Sequence, residues 1–140
     1  MNLILEGNSE NQKIFDGKGS VLQSDKSSDA IIVRSLYQEN QWLVPQNITI
    51  KNYVIEGSIR VYGLGMNGQG ELVKQSSRNL NHTEFCQSMA PKNIIFENLK
   101  IIGNQRIPFY VSPGCTHITL KNCVLEGESV STAIYSEIRV

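Results

Sequence analysis

The chain has 140 residues, which suits one domain over 1–140, and its 13 basic residues balance 13 acidic ones. Lysines and arginines are scattered through it, so composition points to neither a nucleic acid nor an anionic membrane as partner. No apolar run approaches a membrane span, and Met1-Asn2-Leu3 lacks the basic start and long apolar stretch of a signal peptide. That fits a protein that is cytoplasmic as encoded, or one whose leader has been removed.

In chain order, Leu3-Ile4-Leu5-Glu6-Gly7, Lys13-Ile14-Phe15-Asp16-Gly17 and Ala30-Ile31-Ile32-Val33 read as short strands. The clearest signal follows: residues 47–57 (NITIKNYVIEG), 93–103 (NIIFENLKIIG) and 117–127 (HITLKNCVLEG) share one template. Their starts lie 46 and 24 residues apart, close to a double and a single step of about 23, and self-similarity at such a period signals stacked units. Period-two alternation turns Ile48, Ile50, Ile94, Phe96, Ile118 and Leu120 inward, then Tyr53, Leu99 and Cys123, then Ile55, Ile101 and Leu125. A helix does not satisfy that period, and the Ile and Val content favours strand.

Between the two strands of each repeat stands an asparagine: Asn52, Asn98 or Asn122. Asn tolerates positive φ better than other residues with a side chain, so it suits a sharp corner, and stacked corners would let these amides hydrogen-bond to one another. Gly57, Gly103 and Gly127 give a second permissive corner. A third strand is expected after each, at Ile59–Tyr62, Ile107–Val111 and roughly Ala133–Tyr135. The 58–92 interval reads either as a degenerate coil around Glu71-Leu72-Val73 or as a long excursion through Ser76–Pro91.

Three strands per unit with an Asn corner resemble the right-handed parallel β-helix of the pectin-lyase-like superfamily, over most of residues 47–135. The resemblance implies an all-β fold, a single-stranded right-handed parallel solenoid of about five or six coils. A β-sandwich with hairpins of similar sequence is the alternative. A short solenoid normally needs polar caps. No capping helix is visible at either end, so the expectation is either a homo-oligomer joined through exposed coil ends or a piece of a longer solenoid.

The resemblance also implies ligands: members of the superfamily act on polysaccharides. On the first outward strand Lys51, Glu97 and Lys121 form one column, explained equally well as cross-strand charge pairing. On the third, Arg60, Tyr62, Arg106 and Tyr110 offer guanidinium groups for a carboxylate and rings for a sugar face. The expected partner is therefore an acidic polysaccharide contacted by Lys51, Arg60, Tyr62, Glu97, Tyr110 and Lys121. Arg106-Ile107-Pro108 is similar to the catalytic Arg-x-Pro of pectate lyases, which makes Arg106 the candidate base of a uronan lyase. Asp16, Asp25 and Asp29 all precede the repeats, and no acidic calcium cluster accompanies Arg106. The three readings are a glycan-binding module without a complete catalytic site, a self-assembling structural fragment, and a lyase.

Other signals carry less. Gly63-Leu64-Gly65-Met66-Asn67-Gly68 matches G-x-G-x-x-G, yet the polar segment after it does not make a dinucleotide-binding helix, so a corner loop is expected. Asn47-Ile48-Thr49 and Asn81-His82-Thr83 are sequons without a secretory context. Cys123 reads as a small core residue, while Cys86 and Cys115 lie in loops where pairing stays open. His82 lies four residues before Cys86, but no second such pair supports zinc, and neither a metal nor a cofactor is expected. His82 and His117 have no evident catalytic partner in the sequence, and His117 takes the place of Asn at the start of its repeat.

Overall fold

In the computed structural model the described residues are 2–7, 12–25, 28–65, 69–78, 81–126 and 132–136. Strands β1 (Leu3–Glu6), β2 (Ile14–Gln23) and β3 (Ile31–Arg34) come first, followed by the hairpin strands β4 (Leu36–Gln38) and β5 (Gln41–Leu43). Then come β6 (Gln46–Glu56), β7 (Ile59–Tyr62) and the helices α1 (Gly70–Ser77) and α2 (His82–Met89). The last strands are β8 (Lys92–Glu97), β9 (Lys100–Ile102), β10 (Phe109–Val111), β11 (Thr116–Lys121), β12 (Val124–Glu126) and β13 (Ile134–Ser136).

One parallel sheet has the order β1-β3-β7-β10-β13. The other runs β11-β8-β6-β9-β12, with β2 on the free side of β6. This second sheet is curled because β2 and β6 each continue through a bend. The first limb of β6 pairs β8 while its second limb pairs β9. The repeats therefore meet residue for residue: Ile48 opposite Ile94 and Ile94 opposite Ile118.

The all-β solenoid of five or six coils is overturned. Two helices and an antiparallel β4–β5 hairpin interrupt the strands, the parallel strands fall into two sheets, and the architecture is mixed α/β with a half-barrel curl. The reason lies in residues 70–89. Of the two readings of the 58–92 interval, the degenerate coil fails, because Glu71-Leu72-Val73 belong to α1, which buries Val73 and Ser77, and the chain makes an excursion through two helices instead. Asn81 caps α2 by accepting from the amides of Thr83 and Glu84, the N-cap arrangement that Asn favours. Since β6 and β8 are direct neighbours, the spacing of 46 is one rung plus a helical excursion, not two periods.

The core lies between the sheets. Ile48, Ile50, Ile55, Ile94, Phe96 and Ile101 from the curled sheet pack with Leu5, Ile31, Val33, Ile59, Val61 and Phe109 from the other. Phe96 and Phe109 meet edge to face, their ring centroids 5.1 Å apart. A second cluster sits beneath the helices, where Leu64, Val73, Phe85 and Ala90 gather with Trp42, Cys86, Met89 and Cys115 against them. Ser35 ties this layer to the sheets: its hydroxyl donates to the Met89 carbonyl at 2.5 Å, and its carbonyl accepts from Gln69 at 2.8 Å.

Candidate functional site

Asn52, Asn98 and Asn122 all adopt positive φ, at 61°, 52° and 53°. The side chains of Asn98 and Asn52 form a one-way chain that ends on Asp16. Asn98 Nδ2 donates to Asn52 Oδ1 at 2.7 Å, and Asn52 Nδ2 donates to Asp16 Oδ1 at 2.9 Å. Asp16, an acceptor only, ends the chain and also accepts from the Lys18 amide at 2.9 Å. The Asn52 hydrogen bond, followed by the Lys18 amide, holds the Asp16 carboxyl below its ordinary value. A second pair stands at the strand starts, where Asn93 donates to Asn47 at 2.6 Å with both residues at positive φ. His117, in the third repeat, has the same backbone conformation, φ 55°.

Beside the asparagine column runs an open trough of about 530 Å³, lined by Asp16, Lys18, Asn52, Tyr53, Asn98, Lys100, Asn122 and neighbouring residues. Register sets its apolar wall: Val54 faces Lys100, and Lys100 faces Val124. Val124 is more than half exposed and Val54 half-buried. The trough thus offers amides along one side, exposed methyl groups along the other, the Tyr53 ring, and two lysines against one aspartate. Lys100 reaches Glu126 only at 4.0 Å, with both side chains about half exposed, a contact of little strength in water. Tyr53 lies directly over Gly17, where an added Cβ would strike the ring. Burial, then the charge of Asp16, raises the Tyr53 hydroxyl above its usual value, so it stays a neutral donor.

The residues singled out from sequence divide between two faces. Lys51, Glu97 and Lys121 line up across β6, β8 and β11 on the curled sheet, with Glu97 and Lys121 3.8 Å apart. Asp16 extends that column as the partner of Lys51, so the charges alternate across four strands. No coil intervenes between Lys51 and Glu97.

Arg60, Tyr62, Tyr110 and Arg106 gather on or beside the five-stranded sheet, around Asp29. Arg106 Nη1 lies 2.9 Å and Arg60 Nε 3.4 Å from Asp29 Oδ1. Ser58 donates to Oδ1 at 2.9 Å and Tyr62 to Oδ2 at 3.2 Å. Asp29 is 6% exposed and its oxygens are fully engaged. Desolvation first, then the Asp29 charge, raises the Tyr62 hydroxyl and keeps it a donor. The Arg60 guanidinium sits 4.8 Å over the Tyr110 ring, and Tyr110 stacks on Tyr135 at 5.4 Å. The candidate base Arg106 is thus held by a carboxylate, away from the Lys51–Glu97–Lys121 column.

Lys18, Tyr53, Lys100, Val54 and Val124 were not foreseen as lining one cavity. Alternation along the strand turns Tyr53 inward, yet it is only half-buried. The signal was present in the Asn corners, because a left-handed bend re-aims the residues on either side of it. Among the described residues no group of three His, Cys, Asp or Glu side chains forms a metal cradle, and no helix is long and apolar enough to cross a membrane. No protein-family model, curated protein or solved structure matches the chain.

Proposed function

We propose that this protein binds an acidic polysaccharide without transforming it, and that the ligand lies in the trough beside the asparagine column. The observation that carries the reading is the lining itself: two exposed lysines, a row of amides, a tyrosine ring and two valines, one exposed and one half-buried, around one open volume. A uronic acid ring has an apolar C–H face, hydroxyls and a carboxylate. Val54, Val124 and Tyr53 match the first, the asparagines the second, and Lys18 and Lys100 the third. The resemblance of the repeats to pectin-lyase-like proteins suggests the same ligand class. The arginine face is the weaker candidate, because Arg60 and Arg106 already share Asp29. For the same reason Arg106 is not carried forward as a base.

The test is calorimetric titration with a galacturonate oligosaccharide and a neutral oligosaccharide of equal length. The acidic ligand should bind more tightly. Lys18→Ala with Lys100→Ala should weaken it about tenfold, since two exposed charge contacts contribute roughly 1 kcal/mol or less each. Equal affinity for the two sugars, or an unchanged constant in the double variant, overturns the reading.

A second reading, self-association with another copy, rests on the sheet edges. Among the described residues β11, β12 and β13 are paired on one side only. Val124, Ile134 and Tyr135 are exposed there, as are Ile4 and Ile14 at the opposite edges. Edge-to-edge pairing of opposite ends would be heterologous and open-ended. Light scattering should then show mass rising with concentration; a constant monomer mass rejects it.

A further inference from the structure

Outside the trough, the junction of the two helices brings three polar side chains into line. Ser77 Oγ, at the end of α1 and 4% exposed, lies 2.9 Å from Nδ1 of His82, the first residue of α2. Nε2 of the same ring lies 3.7 Å from Sγ of Cys86, one helical turn onward. Taken from Cys86 back through His82 to Ser77, that is the order nucleophile, base, orienting group. The helix supplies the first step, because positions four apart share a face. The Asn81 cap fixes His82 at the helix start, and the α1–α2 packing supplies the second step by bringing Ser77 to the far side of the ring. With Nδ1–H donating to Ser77 Oγ, Nε2 is the free acceptor for the thiol proton. Once protonated, the imidazolium has an acceptor on each side, the serine oxygen and the thiolate.

The other two cysteines provide internal contrasts. Cys115 packs against both core clusters, and burial pushes its thiol up to about 12. Cys123 donates to the Phe96 carbonyl at 3.3 Å and packs against the core. Neither lies within hydrogen-bonding range of a histidine nitrogen in any described contact. Cys86 is half-buried, and His82 is exposed.

We infer that Cys86, activated by His82 and Ser77, is a site of thiol–disulfide exchange with small-molecule disulfides. In the step the Cys86 proton passes to His82 Nε2 and the thiolate attacks one sulfur of the disulfide. The S–S bond breaks as a protein mixed disulfide forms, and the departing thiolate takes the proton back from His82. One disulfide is consumed, one is made, and one small thiol is released. His82 is the base, and Ser77 is a positioning residue that acts through it.

The test follows the folded protein with glutathione disulfide at neutral pH, by mass mapping of the three cysteines over time. Cys86 should be modified first, about threefold faster than a simple cysteine peptide. That factor weighs a larger thiolate fraction against the nucleophilicity lost as a thiol becomes more acidic. His82→Ala should reduce the rate at Cys86 to that of the peptide. Slow modification of Cys115 and Cys123 in this variant serves as the check that the fold is intact. Ser77→Ala should lower the rate part of the way and Ser77→Thr, which keeps a hydroxyl, should restore it. A Cys86 rate equal to the peptide's, or unaffected by His82→Ala, overturns the inference, as does faster modification of Cys115 or Cys123.

Discussion

Asp16 shows what one side chain can decide. Its carboxylate closes the Asn98–Asn52 chain and lines the trough. Because its folded value lies below the ordinary 3.8, its contribution to stability is present above 3.8 and is lost as pH falls through the lower, folded value. Denaturation midpoints followed from neutral pH into acid should therefore fall less in Asp16→Asn than in the parent. Asparagine keeps an acceptor for Asn52 while removing the charge, so the difference reports the charge alone. A neighbouring position tests packing: Gly17→Ala places a methyl group against the Tyr53 ring. Overpacking of this kind costs about 1–3 kcal/mol, read as a lowered melting temperature together with altered Tyr53 chemical shifts.

At the level of elements, what could be read from sequence and what could not have separate causes. The strands of the three repeats were legible because alternation and β-branched residues act locally, and the Asn corners because positive φ restricts residue choice. The helices were not. Each has eight residues and buries only one or two of them, too few for an apolar stripe to stand out. Their one local mark, Asn81 with Glu84 three residues on, coincides with the sequon Asn81-His82-Thr83. Asn81→Ala should cost about 1 kcal/mol, measurable by chemical denaturation, and should loosen α2 without disturbing the β6–β8 pairing. The trough was illegible for a different reason: it needs β2, β6, β9 and β12 side by side, and that adjacency depends on the helices being looped out between β7 and β8.

For the molecule as a whole, the Asp29 cluster joins what the sequence keeps apart. Asp29 precedes β3, Arg60 lies on β7, and Arg106 lies between β9 and β10. Nothing in local sequence shows that an aspartate before the repeats meets arginines within them. Asp29→Asn would leave two largely buried guanidinium groups sharing no carboxylate. Breaking a buried charge pair from one side costs about 3–5 kcal/mol, so thermal unfolding should shift far below that of the parent. A shift no larger than that of a surface substitution would show that solvent screens these charges.

A second thread crosses the same gap: Asn104 Nδ2 donates to the Ser24 carbonyl at 2.6 Å, between residues 80 positions apart. Together with the Arg106–Asp29 contact it works as a noncovalent staple between early and late chain. Under tension applied at the two termini, the strands outside the staple can peel away while the span it encloses bears no load. That span extends only after the staple itself snaps, which would give the protein two successive rupture events under force.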